Sequence, residues 1–491
     1  MSRFVSRGLT LTAVLGLAAC SLGPDFMRPN ADPPAKFRAA SSKELPVWPD
    51  TEWWRGFDSP PLDFLIASAQ TQSPDIAAAV ARVRQADAQM RIAGAGLLPN
   101  VGTSAQASWQ QVSVTRGGRQ IQSDVRQYST DLNIGWELDL WGRNRALADS
   151  AQATALASRF NQQAIAISIT AAVAQGWFNA LGAQDQLNVA RRNVNDAEQT
   201  LRVIRGRFEA GTNSALDVAQ QESLVAGQRA QIPNYANQVE QFLIGLGILT
   251  GQPPSAIDVR PTSGLAGLRR PAVAPGLPSE LLARRPDVAE AEANLSAVNA
   301  DIRAARAAFF PTIRLTGSTG LQSAALSSLL QPGALVASLA AGLTQPIFDG
   351  GTLRGQLALS QARQDELLAA YRKAVLQALT DVDAALTAVQ FSAQQERLQR
   401  EAVARAQRAA DIARAQLAAG TVDITTVLQV QTTLYAALNA LILVRQAHFQ
   451  ARVALFKALG GGWNDADLAL PELTPGRVEG GFALPIGLPV R

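Results

Sequence analysis

His448 is the one histidine and Cys20 the one cysteine in a chain of 491 residues. A single cysteine excludes a disulfide framework and a Cys-based zinc site, and a single histidine excludes His-rich metal clusters. Nucleophile–base arrangements therefore have almost no raw material. Ser–Lys pairs or paired carboxylates stand in principle, but no Gly-rich nucleophile turn frames them, and no Walker-type phosphate loop occurs. The expectation is no enzyme activity, no cofactor and no metal. His448 falls at a helix-seam position that the first half of the chain fills with Val239, so packing or subunit contact is its expected role.

Cys20 carries a different chemistry. Arg3 and Arg7 precede an apolar segment, Leu9 to Ala19, of signal-peptide length. It ends in Leu17-Ala18-Ala19-Cys20, which resembles the lipobox of bacterial lipoproteins. In such proteins the signal is cleaved and the exposed cysteine is acylated on its thiol and amine. The residue after it is Ser21, and the absence of Asp at that place goes with the outer membrane in such lipoproteins. The plain alternative is an ordinary signal peptide beside a chance cysteine. Cleavage would leave 42 basic against 40 acidic residues, a near-balance that gives no reason to invoke nucleic acid.

A third group lies at two turns. Gly211-Thr212-Asn213-Ser214 and Gly420-Thr421-Val422-Asp423 each join a helix-ending glycine to residues able to cap the next helix. Asp217 and Asp423 lie at the starts of those helices, where the macrodipole favours a carboxylate. Capping alone accounts for them. If several chains form a ring, the same acids converge at one end of a pore and can bind cations and control opening.

The elements that would position these residues occur twice. Pro74-Asp75-Ile76-Ala77 reappears as Pro286-Asp287-Val288-Ala289, and the shift of 212 runs without a gap to Pro99 and Pro311, with 10 of 26 positions identical. Ala210-Gly211-Thr212 returns as Ala419-Gly420-Thr421, a shift of 209. Such a repeat indicates duplicated architecture. Each copy reads as helix, two strands, long helix, turn, long helix. The first helix is expected over Leu62 to Gly96, and its counterpart from Ser279 to just before Pro311.

In 126–138, Tyr128, Leu132, Ile134, Trp136 and Leu138 alternate with polar residues, a period of two with one apolar face. Leu335, Ala337, Leu339, Ala341 and Leu343 repeat it, as do Ile313, Leu315 and Leu321. The weakest of the four expected strands is 101–115, where Val101, Ala105, Ala107 and Trp109 share a parity. Gly117-Gly118 and Pro332-Gly333 mark the turns. Two hairpins on a soluble core would show this pattern, and so would barrel strands with lipid on one side and water on the other.

Leu187, Val194, Leu201 and Phe208 step by seven, and Ala190, Ala197 and Ile204 run three residues out of step, forming an a/d seam. Val403, Ala406, Ala410, Ala413 and Leu417 continue it in the second copy. Val218, Val225, Ile232, Val239 and Leu246 answer across the turn, matched by Val427, Leu434, Leu441, His448 and Leu455. A seven-residue repeat implies left-handed coiled-coil packing. The helix before the turn, Arg143 to Ala210, would be ~100 Å long at 1.5 Å per residue. Pro233 inside the following helix should bend it; its counterpart is Ile442.

Only 17% of residues are charged while 47% are hydrophobic, against about 25% charged in ordinary globular chains. No apolar run reaches the 18 residues of a membrane-spanning helix. The low charge thus calls for large faces buried between subunits, or for lipid contact by something other than a helix.

These pieces resemble one family. Gly23-Pro24-Asp25-Phe26 after the lipobox, Trp53-Trp54 with Phe57, Leu277-Pro278-Ser279-Glu280-Leu281-Leu282-Ala283-Arg284-Arg285-Pro286-Asp287, and Ala304-Ala305-Arg306-Ala307-Ala308-Phe309-Phe310-Pro311 are similar to stretches of outer-membrane efflux lipoproteins of the NodT type, related to TolC. The resemblance implies an α+β, TolC-like trimeric channel: a shared twelve-stranded β-barrel, four strands per chain, above a long periplasmic α-helical coiled-coil barrel. It implies the outer-membrane duct of a tripartite efflux pump, a passive exit for small molecules such as drugs. Its partners would be two further copies of the chain, a periplasmic adaptor, an inner-membrane transporter of the RND class and outer-membrane lipid.

The expected organisation is a signal peptide over 1–19, a lipidated tether over 20–61, a first repeat over 62–250, a linker over 251–278, a second repeat over 279–460 and a tail over 461–491. In TolC-like channels the second-copy tip carries acids that ring the closed entrance. Here Thr426 and Gln429 occupy those places, with Asp423 and Asp217 the nearest acids, so this tip departs from the family pattern. The alternative is a periplasmic structural or adaptor lipoprotein of coiled-coil hairpins, which needs no amphipathic barrel strands.

Overall fold

A computed structural model describes residues 26–30, 32–38, 47–257, 259–261, 264–273, 275–276 and 278–463. The signal segment, Cys20 and the tail beyond Trp463 lie outside them. In chain order the elements are α1 (Pro60–Gln72), α2 (Pro74–Ala95), β1 (Asn100–Arg116), β2 (Arg119–Leu138), α3 (Arg143–Glu209), α4 (Ala215–Thr250), α5 (Pro278–Arg284), α6 (Pro286–Ala307), β3 (Thr312–Ser323), β4 (Leu335–Thr344), α7 (Thr352–Ala419) and α8 (Ile424–Ala458). The sequence of helix, strand pair and long helical hairpin thus occurs twice.

Three expected boundaries move. The helix expected over Leu62 to Gly96 is broken at Ser73, whose φ of −60° and ψ of 125° are extended. Pro74 causes this, because a proline ring disfavours helical backbone in the residue before it. The same device separates α5 from α6 at Arg285-Pro286. β2 begins at Arg119, seven residues before the alternating run, because the polar hairpin around Gly117-Gly118 continues the ladder. Pro233 lies within an uninterrupted α4.

The four strands form one antiparallel sheet in the order β1-β2-β3-β4. Val101 faces Ile134, Leu138 faces Ile313, and Ile313 faces Leu343. The alternating residues of all four strands therefore share one face. Asn100 pairs with Gly135 and Thr312 with Thr344, so β1 maps onto β3 at a shift of 212 and β2 onto β4 at 209. The three-residue difference is absorbed in the hairpin between them.

α3 and α7, of 67 and 68 residues, each fold back on the next helix. α3 and α8 are long and apolar enough to cross a bilayer, because their uncharged stretches 160–184 and 424–444 are interrupted only by Asn, Gln, Ser and Thr. Both are instead packed in the hairpins. The seam residues Leu187, Val194, Leu201, Val225, Val239 and Leu246 are buried, as are Ala410, Ala413, Leu417, Val427, Leu434 and Leu455. Phe208, expected in the same seam, is exposed at the tip.

The main core lies midway along the molecule. Trp53, Trp54 and Phe57 pack with Phe178, Phe449 and Phe456; Trp53 stacks on Phe456 at 4.8 Å and Phe57 meets Phe178 edge-on at 5.0 Å. A second core gathers Leu281, Tyr371, Val375, Val382 and Leu459 around Phe37. The segment before α1 therefore straps both repeats together, and burial of its large aromatic rings supplies the driving force.

Candidate functional site

Two parts of the molecule can carry function, the sheet and the helical tip. On the sheet, apolar residues occupy 101–109 in β1, 128–138 in β2, 313–321 in β3 and 335–343 in β4. A transmembrane β-strand needs about 9–11 residues, so each run fits a bilayer. Leu339 is 88% exposed, Leu343 67%, Trp109 61% and Val101 58%. An apolar sheet face bare to this degree is stable only against lipid or protein. Trp109 and Tyr128 bound the band at one end, and Trp136 bounds it at the other, as the aromatic girdles of barrels do.

The opposite face is small and polar. Gly102, Ser104, Asn133, Gly135, Thr316, Ser318 and Ser338 lie on it. Ser104 accepts a 3.0 Å hydrogen bond from Asn133, and the Ser318 and Ser338 hydroxyls are 2.7 Å apart. Arg314, Asp131 and Glu137 are charged residues on the same face. Such a surface can line water. At the helical end of the sheet, Trp141 stacks on Phe310 at 4.8 Å and donates to the Pro311 carbonyl at 2.7 Å. Asp139 accepts from the Asn144 and Arg145 backbone N–H groups, fixing the start of α3. Asp349 does the same for α7 through Gly351 and Leu353.

At the tip, Gly211 and Gly420 have φ of 76° and 75°, the left-handed conformation that ends a helix and that glycine adopts without strain. Ser214 caps α4: its hydroxyl accepts from the Asp217 N–H at 3.2 Å, and Asp217 accepts from the Ser214 N–H at 2.8 Å. Asp423 caps α8, accepting from the Thr426 N–H at 2.8 Å and hydroxyl at 3.0 Å. Those hydrogen bonds hold its carboxyl below the usual carboxylate range. Ser214 and Asp423 are equivalent at the shift of 209, and so are Asp217 and Thr426. The two repeats thus exchange carboxylate and hydroxyl within one capping pair. Gln429 is exposed one turn further on.

The hairpins are also tied together there. Gln431 donates to the Thr200 hydroxyl at 2.8 Å, Tyr435 to the Asn193 carbonyl at 3.2 Å, and Arg207 to the Ala418 carbonyl at 3.1 Å. Arg414 pairs with Asp196 at 3.4 Å.

Sequence reasoning missed one cluster. Glu396 of α7 is 3% exposed. It accepts hydrogen bonds from Arg270 of the linker at 2.9 Å, from Arg445 of α8 at 3.2 Å and from Arg400, and its second oxygen lies 2.8 Å from His448 Nδ1. Arg452 donates to His448 Nε2 at 3.2 Å and to the Pro271 carbonyl at 2.6 Å. Burial pushes the Glu396 carboxyl up, but the His448 hydrogen bond and the guanidinium groups outweigh it and hold it at about 2. Burial pushes the His448 imidazole down, against the pull of Glu396. His448 thus bridges the two: its Nε2 accepts from Arg452, which leaves Nδ1–H to donate to the Glu396 carboxylate. Only the i, i+4 spacings Glu396–Arg400 and His448–Arg452 were visible in advance; the linker and the second helix meet them through tertiary folding. Among the described residues, no group of His, Cys, Asp and Glu is placed to hold a metal ion.

Comparison with known proteins agrees with this geometry. The family model described as outer membrane efflux protein matches residues 65–252 and 277–461. The chain is 40% identical over 462 residues to the pyoverdine export outer membrane protein OpmQ of Pseudomonas aeruginosa, covering 92% of this chain and 96% of that protein. It is 33% identical to the outer membrane protein OprJ of the same organism, covering 93% and 95%. Among solved structures, the outer-membrane channel OprN superposes with a TM-score of 0.84 at 27% identity, covering 90% of this chain and 100% of that one. The open-state MtrE outer membrane channel of Neisseria gonorrhoeae gives 0.82 at 29%, covering 90% and 98%. With a two-faced sheet, two hairpins of ~100 Å and matches along nearly its whole length, the chain belongs to the outer membrane efflux protein family.

Proposed function

We propose that three copies of this chain close one twelve-stranded barrel in the outer membrane and one helical tunnel beneath it, and that small molecules leave through the shared bore. The open sheet carries this reading. Four strands cannot close a membrane barrel, for which about eight is the minimum, and open strand edges are not tolerated in lipid. Several chains must therefore share one barrel. Nothing in the small, polar inner face suggests energy transduction, so the driving force belongs to an inner-membrane transporter, which a periplasmic adaptor links to the helical tips. The relatives are named for pyoverdine in one case and toluene in another, and a water-lined duct suits such unlike cargoes.

Cys20 is the proposed site of acylation, a tether beside the barrel. Asp217 and Asp423, with Thr426 and Gln429 nearby, are the proposed lining of the tip entrance. The purified protein should run as a trimer in detergent and give stepwise conductance in planar bilayers. A monomer without conductance would overturn the reading and return the coiled-coil lipoprotein as the better account.

A further inference from the structure

The β1–β2 hairpin runs well past the third strand. β3 first pairs with β2 at Ser323 opposite Tyr128. The β1–β2 ladder continues unbroken beyond that level, from Trp109 opposite Arg126 to Arg116 opposite Arg119. Gly117 and Gly118, at φ of 60° and 75°, close it in the left-handed conformations that a tight hairpin turn requires.

Along this projecting part the apolar side chains change face. Successive side chains of a strand point to opposite sides, so the register assigns each one. Up to Trp109 and Tyr128 the apolar residues lie on the lipid side. Above that level the same side carries Arg126, Asp124 and Gln122 on β2, and Gln111, Ser113 and Thr115 on β1. Val112, Val114 and Val125 lie on the other side, which lower down is the polar face of the bore. They are 39%, 49% and 47% exposed.

This arrangement calls for a cover on the bore side. A two-stranded ribbon is at best marginally stable alone in water, and lipid lies on the wrong side to cover these valines. In the trimeric duct proposed above, on which this inference rests, twelve strands about 4.8 Å apart and tilted about 40° give a backbone radius of about 12 Å. Residues 110–116 extend about 23 Å at about 3.3 Å per residue, enough to reach the three-fold axis. What meets them there is the same apolar face of the other two copies. The β3–β4 turn also presents exposed apolar residues, Leu326 and Leu330, but it leaves the sheet near the base of the hairpin, whereas Val114 is near its tip.

We propose that the β1–β2 hairpins of three copies lean over the outer mouth of the bore and meet through Val112, Val114 and Val125. The contact constricts this end of the duct. It is apolar and lacks interlocking hydrogen bonds, so the hairpins can part as solute leaves.

The test uses the full-length, membrane-extracted protein. Val114→Cys places a thiol on the bore side near the tip, and Thr115→Cys places one on the opposite side one residue away. The wild type controls for Cys20. Oxidation of Val114→Cys should give roughly tenfold more reducible covalent dimer than oxidation of Thr115→Cys, because only facing groups come within disulfide range. Dimer is the limiting product, since a disulfide joins two of the three thiols. In planar bilayers the oxidised Val114→Cys channel should conduct less than the reduced one, and the Val112→Ser/Val114→Ser variant more than the wild type. A native-mass trimer in which the two cysteines cross-link equally or not at all, or in which Val114→Cys cross-links only when Leu330→Cys is added, would overturn the contact and leave the trimeric duct standing. Unchanged conductance in both experiments would overturn the constriction. A native-mass monomer would overturn the contact and the duct together.

Discussion

Residue chemistry here is about holding helices in place. Asp217 and Asp423 each close a capping pair, so the pore-entrance role proposed for them would be added to a local task. Asp217→Ala and Asp423→Ala should alter single-channel conductance or its response to divalent cations while trimers still form. Unchanged records from both would reduce them to caps. Glu396 is a different case: one buried carboxylate serves Arg270, Arg400, Arg445 and His448. Removing one partner of a buried ionic network costs about 3–5 kcal/mol, because the remaining charges lose compensation. Glu396→Ala should lower the thermal midpoint sharply, and Glu396→Gln should recover part of the loss.

The same cluster gives a pH dependence with a definite sign. The folded-state pKa of His448 is depressed, so its contribution is complete above about 6.5, the unfolded value, and is lost as pH falls toward the folded value. Glu396, held at about 2, contributes fully above its unfolded range near 4.3 and loses that contribution as pH falls toward 2. Wild-type stability should therefore begin to fall below about pH 6.5, with a further loss in the acid range. A His448→Gln variant, measured by thermal unfolding across pH, should lack the first limb and keep the second.

At the scale of elements, two periodicities divide the labour. Period two builds strands with a lipid face and a water face, and period seven builds hairpins that bury an apolar seam. Small residues let these elements meet closely. A side chain added at Gly320 would lie 2.2 Å from the Thr130 carbonyl oxygen of the paired strand. Gly320→Val should therefore disrupt the β2–β3 junction, a cost above the ~1–3 kcal/mol of ordinary overpacking, and outer-membrane trimer yield should collapse. Gly333→Ala, with nothing near its added carbon, is the matched control. Abundant Gly320→Val trimers would mean that the strands separate locally without harm.

For the whole molecule, the strap of Phe37, Trp53, Trp54 and Phe57 holds the two repeats at mid-length, and Arg28 pairs with Glu292 of α6 at 2.9 Å. Arg28 and Phe37 are thus fastened to the helical body. Cys20→Ala should abolish acylation, read by mass spectrometry of the mature protein, while trimer assembly and conductance persist because the barrel holds the membrane. Loss of trimers in that variant would show that acylation is needed for insertion.

The low charge that marks the composition has its physical place in the Ala-rich seams and in the bare apolar face of the sheet. The duplication, the alternating strands, the heptad seams and the turn glycines were all legible in the sequence, because each follows from backbone geometry acting over a few residues. The helix break at Ser73 was legible too, in Pro74, but the apolar pattern running across it concealed it. Pairing across long separations was not legible: nothing local sets Leu138 opposite Ile313, Trp141 on Phe310, or Arg270 and His448 on one carboxylate. Those contacts depend on which faces and charges must be satisfied together once the chain is compact, and tertiary structure alone decides that.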